Sequence, residues 1–259
     1  MTKISAIILT KNSENLIADC IDSVSFCDEI IVIDDYSSDR TAELAKHLGA
    51  LVFPYSSESF AKKRNLGLQK AKGRWILYLD ADERVSIELK NAIQSILKRK
   101  QDIYAAYRVN RRNFYLGNNE WPTMEKLERL FKKSKLEEWY GDLHESPRVN
   151  GDIGDLEEGF IQHYTHQDLT SMLNKTIQWS KIEAELRLNA NHPSLSWWRF
   201  YRVMITAFYD SYIKQKGYKV GTAGLIESMF QSFSMFITYA RLWELQQKKN
   251  SYKKKTLTS

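Results

Sequence analysis

The stretch ILYLDADER, residues 76–84, decides how this chain is read. Four apolar residues in succession make the pattern of a buried strand, and Asp80, Asp82 and Glu83 follow at once. Like charges that close repel, and each loses hydration near the end of a sheet. The arrangement makes sense if something positive sits there. Alternating residues of an extended chain point the same way, so the two aspartates can face one divalent cation, Mg²⁺ or Mn²⁺, which keeps positions open for phosphate oxygens. The expectation is that a metal ion and a diphosphate make the cluster tolerable. Asp-x-Asp also occurs in solvated loops, so its surroundings carry the decision.

Those surroundings alternate strand with helix. ISAIIL (4–9), EIIVID (29–34), ALVF (50–53) and WILYL (75–79) read as buried strands. Residues 13–25, 38–49 and 58–72 read as helices between them, the second with Ser38 or Asp39 as N-cap and Gly49 at its C-terminal end. Strands spaced in this way imply right-handed crossovers and a mostly parallel sheet covered on both faces. Ligands of such sheets bind beyond the carboxyl ends of the strands. There stand Thr10, Lys11, Asn12 and Glu14, then Asp34, Asp35 and Ser37, then the acid cluster. No G-x-G-x-x-G follows the first strand and no G-x-x-x-x-G-K-[ST] occurs, so the dinucleotide and P-loop readings lose their main support.

The 259 residues suffice for one large domain or a core with an appendage, and 43% hydrophobic content with four prolines argues for a folded chain. Two cysteines, Cys20 and Cys27, make no disulfide framework, which fits a reducing cytosol, and the N-terminus reads as a strand rather than a signal peptide. Charge is uneven. Residues 170–259 carry 14 Lys+Arg against 5 Asp+Glu, whereas residues 1–169 carry 24 against 27. A near-neutral front and a basic, aromatic rear suggest two jobs.

Residues 101–168 read as an antiparallel extension, with IYAAYRVN (103–110) and KLERLFKK (126–133) strand-like and NGDIGDLEEG (150–159) turn-rich. Residues 168–190, 194–216 and 221–248 read as three helices. Glu227, Gln231 and several hydroxyls interrupt the apolar run from Val220 to Tyr239, which argues against a membrane span. Packing on the core or in a homo-oligomer remains open beside interfacial attachment, since Trp, Tyr and Phe mix with Arg199, Arg202, Lys214, Lys216 and Lys219. The closing KKNSYKKK is expected to lack fixed structure and to attract anionic lipid. Nucleic acid is not expected as a partner, because the aromatics of this part look helical and core-facing rather than set out on a sheet.

TKNSE (10–14), VIDDYSSDRT (32–41), KRNLGLQKAKGRWILYLDADE (63–83) and LHE (143–145) together resemble the family 2 nucleotide-sugar glycosyltransferases, which have a GT-A fold. RRNFYLG (111–117), RLF (129–131), HY (163–164) and YARLWEL (239–245) make the chain similar to the branch typified by bacterial lipopolysaccharide core β-glucosyltransferases. The resemblance covers about residues 3–246. It implies an α/β catalytic domain over 1–168, with a nucleotide-binding half to residue 100 and an acceptor-side half beyond it, and a helical extension over 169–259.

By position, the resemblance implies that Asp35 reads the uracil ring, with Leu9, Thr10 and Asn12 around base and ribose. Arg64 and Asn65 fall where the family has polar contacts to the nucleotide. Asp80 touches ribose or sugar, Asp82 and His163 hold the metal, and Glu145 is the catalytic base. The Q-x-x-R-W of processive members is missing, which favours transfer of a single sugar. An inverting transfer needs one base and a stabilised nucleoside diphosphate leaving group, and these residue types supply both. The implied donor is a UDP-sugar, with UDP-glucose the inference from the branch, and the implied acceptor is lipid-linked or a lipopolysaccharide core. The implied place is the inner face of the cytoplasmic membrane. Each residue also has a plainer use: Asp34 and Asp35 as caps, Glu145 as a surface carboxylate beside Pro147, Arg64 on an exposed helix face, Arg111 and Arg112 in a solvated turn or facing an anionic acceptor. A nucleotidyltransferase or a non-catalytic nucleotide-sugar-binding module is the alternative.

Overall fold

The computed structural model describes residues 3–57, 59–99, 103–141 and 145–257, with side chains through Lys249. β1 (Ile4–Thr10), β2 (Glu29–Asp34), β3 (Leu51–Pro54) and β4 (Trp75–Asp80) lie side by side and parallel in the order β3-β2-β1-β4. The connections run through α1 (Ile17–Ser23), α2 (Thr41–His47) and α3 (Phe60–Lys70). All seven residues of β1 are buried. Its alternate side chains serve two cores: Ile4, Ala6 and Ile8 pack with α1, Ala45 of α2 and α4 (Ile87–Lys98), while Ile7 and Leu9 pack on the α3 side with Tyr78, Phe131 and Trp139. A near-continuous apolar run, interrupted in β1 by Ser5 before it ends at Thr10, is what a strand covered on both faces requires. Gly67 of α3 sits so close to β1 that a Cβ there would overlap the Ile7 side chain. The expected α/β class, a mostly parallel sheet flanked by helices with a helical C-terminal part, is the one observed.

β5 (Glu83–Val85), β6 (Ala106–Tyr115), β7 (Asn119–Lys132) and β10 (Ile153–His166) continue this sheet in the order β4-β7-β6-β10-β5. β7 is antiparallel to β4, and β10 is antiparallel to β5 with His163 opposite Glu83. β8 (Leu136–Tyr140) and β9 (Ser146–Val149) form a separate hairpin. The expectation of a turn-rich segment over 150–159 needs correction, because β10 begins inside it. Its acids are paired across strands, Asp155 with Arg108 and Lys126, and Glu157 with Lys126. Gly159 adopts φ +75°, and a Cβ there would strike the Leu89 backbone.

The chain divides into two compact units, Met1–Asn113 with Met124–Tyr164, and Phe114–Thr123 with Thr165–Ser259. In the second, α5 (Leu169–Asn189) and α6 (Trp197–Tyr209) each pack on α7 (Gly221–Leu257). Asp168 and Ser171 form a capping box that starts α5. Trp121, from the β6–β7 hairpin, donates Nε1–H to Gln215 Oε1 at 3.0 Å and stacks edge-on against Tyr115. The helix expected over 194–216 is shorter, turning π-helical at Asp210–Lys214 before Lys216 takes φ +63°. The closing basic stretch is not without structure either: α7 continues through Leu257. No helix among the described residues is long and apolar enough to cross a membrane.

Candidate active site

β4 ends at Asp80, and the chain turns at once into β5. Asp80 N–H donates to Glu83 Oε2 at 3.0 Å, which closes the turn. Arg84 locks it from behind, donating to the carbonyls of Ala81 and Glu83 at 2.8 Å each and to that of Leu16 at 2.6 Å. Tyr164 N–H donates to the Asp82 carbonyl at 2.9 Å, so the β5–β10 register carries His163 to the same place.

The positive partner of Asp80 and Glu83 is arginine, which corrects the expectation that a metal ion serves the whole cluster. Glu83 is fully buried. Its Oε1 accepts from Arg129 of β7 at 2.7 Å and from Arg111 of β6 at 3.2 Å. Asp80 is clamped between two guanidinium groups, Oδ1 by Arg64 and Oδ2 by Arg129, each at 3.2 Å. Burial alone would raise the Asp80 pKa, but Arg64 and Arg129 outweigh it and hold the carboxyl well below its usual range. Burial likewise opposes the charge on Arg129, yet Glu83 and Asp80 raise its pKa. Arg64 is buried, not on an exposed helix face. Its guanidinium lies 4.9 Å from the Trp139 ring centroid, and its Nε donates to Glu145 Oε1 at 3.1 Å. Its Nη1 is buried with no hydrogen-bond partner. Arg64 therefore joins the strand-end acid to the candidate base. Asp142, Leu143 and His144 lie outside the described residues.

Asp82 has a different neighbour. His163 Nε2 lies 3.5 Å from Asp82 Oδ2, and its Nδ1 lies 2.7 Å from Asn113 Oδ1. In the neutral ring with Nδ1–H donating to that carbonyl, Nε2 would present a lone pair to a carboxylate oxygen. Two acceptors facing each other in this way would be relieved by a cation between them, so the pair fits a divalent metal. No group of three His, Cys, Asp or Glu side chains among the described residues is set to hold an ion. Two protein ligands leave most positions to water and phosphate oxygens, as Mg²⁺ prefers.

At the ends of β1 and β2, Asp34 accepts from Ser37 N–H at 3.0 Å and from its hydroxyl, which makes it a turn former. Asp35 is used otherwise. Lys63 and Lys11 reach its Oδ2 at 2.9 and 3.1 Å. Burial would raise its pKa, but Lys63, Ser56 and Lys11 together lower it. Its Oδ1 is buried and has no hydrogen-bond partner. Thr10 Oγ1 is a second buried oxygen without a hydrogen bond. Leu9 is a core residue of β1. Asn12, at φ +48°, ties the two loops together, donating N–H to Ser37 Oγ and accepting Ser38 N–H on Oδ1, both at 2.8 Å. Asn65 departs from its expected nucleotide contact: its amide grips the Trp139 backbone through two 2.8 Å hydrogen bonds and fixes β8. The sequence reading left out Lys63, Asn113 and Arg129 as site residues. Arg129 did leave a signal, a cation directly before the buried Leu130 and Phe131.

The sequence profile of Glycosyl transferase family 2 matches residues 5–150, more than half the chain and the part that holds every one of these groups except His163. The chain is 30% identical over 261 residues to an uncharacterised glycosyltransferase of Rickettsia prowazekii (strain Madrid E), covering 96% of this chain and 89% of that protein. It is 25% identical over 253 residues to the lipopolysaccharide core biosynthesis glycosyltransferase LpsC of Rhizobium meliloti (strain 1021), covering 93% and 92%. Among solved structures, S. aureus TarS 1-349 in complex with UDP-GlcNAc overlaps 95% of this chain and 92% of that one at a TM-score of 0.44 and 15% identity, too distant to add to the argument. With the family profile matched over more than half of its residues and a 30%-identical relative covered to 89%, the chain belongs to glycosyltransferase family 2.

Proposed function

We propose that this glycosyltransferase moves one sugar from a UDP-sugar, UDP-glucose in our reading, to a lipid-linked or lipopolysaccharide-core acceptor with inversion. The observation that carries the reading is the convergence of Asp80, Arg64 and Glu145 beside the Asp82–His163 pair. Asp35 Oδ1, buried and unsatisfied, suits the N–H of a uracil ring. The spare Nη1 of Arg64 is a donor for an anionic donor substrate. Glu145 Oε1 is held by Arg64, which leaves Oε2 to take the proton of the acceptor hydroxyl. The hydroxyl oxygen then bonds to the anomeric carbon as the bond from that carbon to the diphosphate oxygen breaks, and UDP leaves with that electron pair. Mg²⁺ or Mn²⁺ held by Asp82 and His163 would neutralise charge developing on the diphosphate. The name of the relative LpsC supports a lipopolysaccharide acceptor.

The helical part of the chain suits a peripheral position on the inner face of the cytoplasmic membrane. Trp197, Tyr201, Ile205 and Tyr209, one stripe at four-residue spacing on α6, are 76, 64, 67 and 51% exposed. Arg199 and Arg202 flank the stripe, and Lys214, Lys216 and Lys219 follow it. Aromatic side chains beside basic ones match an interface of anionic lipid. The experiment for the transfer reading incubates the protein with several UDP-sugars and Mn²⁺ and follows release of UDP. Slow hydrolysis of UDP-glucose alone is expected; equal inertness toward every UDP-sugar counts against a UDP-sugar donor.

A further inference from the structure

Behind the Asp82–His163 pair stands a line of polar side chains whose hydrogen-bond directions are set, from Glu83 as far as Asn113, by guanidinium donors and carboxylate acceptors. Asn113 is 5% exposed, and its Nδ2 lies 3.2 Å from Glu125 Oε1. A carboxylate accepts, so the amide nitrogen belongs on that side and the amide oxygen on the other. Glu125 is itself held, since Arg111 Nη2 donates to its Oε2 at 2.5 Å while Arg111 Nη1 donates to Glu83 Oε1 at 3.2 Å. The line runs Glu83, Arg111, Glu125, Asn113, His163, Asp82, and both its ends lie in the one turn after β4. Reversing the amide would set its nitrogen against His163 and its oxygen against a carboxylate.

We propose that Asn113 is a positioning residue that fixes His163 as the Nδ1–H tautomer and turns the Nε2 lone pair toward Asp82, with Glu125 and Arg111 holding the Asn113 amide in the orientation this needs. The proposal rests on the reading that Asp82 and His163 hold a divalent cation. A carbonyl oxygen behind a ligating histidine fixes its ring and makes the other nitrogen a better ligand, and loss of such a support typically lowers metal affinity about 10- to 100-fold. RRNFYLG thereby gains a physical role: Arg111 and Asn113, on the same side of one strand, reach the acid cluster and the histidine in turn.

The test uses the full chain with ¹⁵N-labelled histidine, first free of metal at a pH where the ring is neutral. His163 should show a protonated Nδ1 and an unprotonated Nε2. Asn113→Leu should shift it toward the Nε2–H tautomer and weaken Mn²⁺ binding, measured by electron paramagnetic resonance with UDP present, about 10- to 100-fold. Asn113→Asp, which still offers Nδ1 an acceptor, should keep the wild-type tautomer; thermal unfolding of each variant reports whether it is folded. An Nε2–H tautomer in the wild type, or unchanged tautomer and affinity in a folded Asn113→Leu, overturns the proposal. The predicted tautomers with no Mn²⁺ binding by the wild type would uphold the positioning role and remove the cation reading alone.

Discussion

Asp80 and Asp82 stand two residues apart at the end of one strand, yet their surroundings are opposite. Asp80 and its neighbour Glu83 face Arg64, Arg129 and Arg111, and their charge is neutralised by the protein itself. Asp82 faces the His163 imidazole, whose Nε2 lies 3.5 Å from its Oδ2. One side of the motif is a buried arginine–carboxylate network, and the other is a carboxylate beside a histidine, the pair we propose as the cation site. A short acidic motif can thus divide its labour, with one carboxylate orienting arginines and the other, in our proposal, serving a metal ion.

The largest effect should come from breaking the arginine-bound side. Arg129→Leu leaves Glu83 buried with Arg111 as its remaining guanidinium partner, and loss of one member of a buried pair costs about 3–5 kcal/mol. Thermal unfolding measures this; a melting temperature near wild type would mean the network is not structural. The same network sets an acid dependence. The Asp80 pKa is depressed in the fold, so its contribution is present above the ordinary carboxylate pKa of about 4 and is lost as pH falls through the folded value. Wild-type stability should therefore drop below about pH 4, and Arg129→Leu should flatten this slope.

Asp82→Ala should do the reverse. Turnover should fall at least about 10²-fold, in keeping with the several kcal/mol a metal supplies to a leaving group, while stability moves by less than about 1 kcal/mol. A large loss of stability with proportionate loss of activity would put Asp82 on the structural side. Next is Asp35. Made in a Lys63→Met background so that no cation is stranded, Asp35→Ala should weaken UDP binding about 10- to 100-fold, the range of one charge-assisted hydrogen bond. Calorimetric titration with UDP reads this, and an unchanged affinity would make Asp35 a partner for lysines only. Smallest in the folded protein is the triple change Trp197→Ser, Tyr201→Ser, Ile205→Ser. These side chains are mostly exposed, so melting and donor hydrolysis should hold while sedimentation with anionic liposomes falls. Undiminished sedimentation would move membrane attachment off α6.

The four parallel strands were legible to within about a residue, because each is a short apolar run bounded by polar or glycine residues. The first three helices proved shorter at both ends, since tight loops such as 34–40 take residues that propensity would give to a helix. β10 was illegible in its first half for a physical reason. Gly154 and Leu156 are buried in alternation, but the phase shifts at Gly159, so Ile161 falls out of step. Its acids, read as turn formers, are charge partners of β6 and β7. At the site, Asp80 and Asp82 stood out as a strand-end pair, whereas Arg64 and Glu145 were marked only by the family resemblance. What they do to one another was not legible, because Arg64–Glu145 spans 81 residues and Arg129–Asp80 spans 49. A single sequence gives no account of which arginine meets which acid across such separations.

The claim at the centre of this account is that Glu145, oriented by Arg64, takes the acceptor proton. Glu145→Gln tests it most directly, with turnover, UDP affinity and melting temperature measured on one preparation. The change keeps shape and a hydrogen-bonding oxygen toward Arg64 while removing the ability to accept a proton near neutral pH. Turnover should fall by about 10²–10⁴, the usual cost of losing a general base, with UDP affinity and melting temperature close to wild type. Near-normal turnover in that protein would contradict the claim and send the base elsewhere.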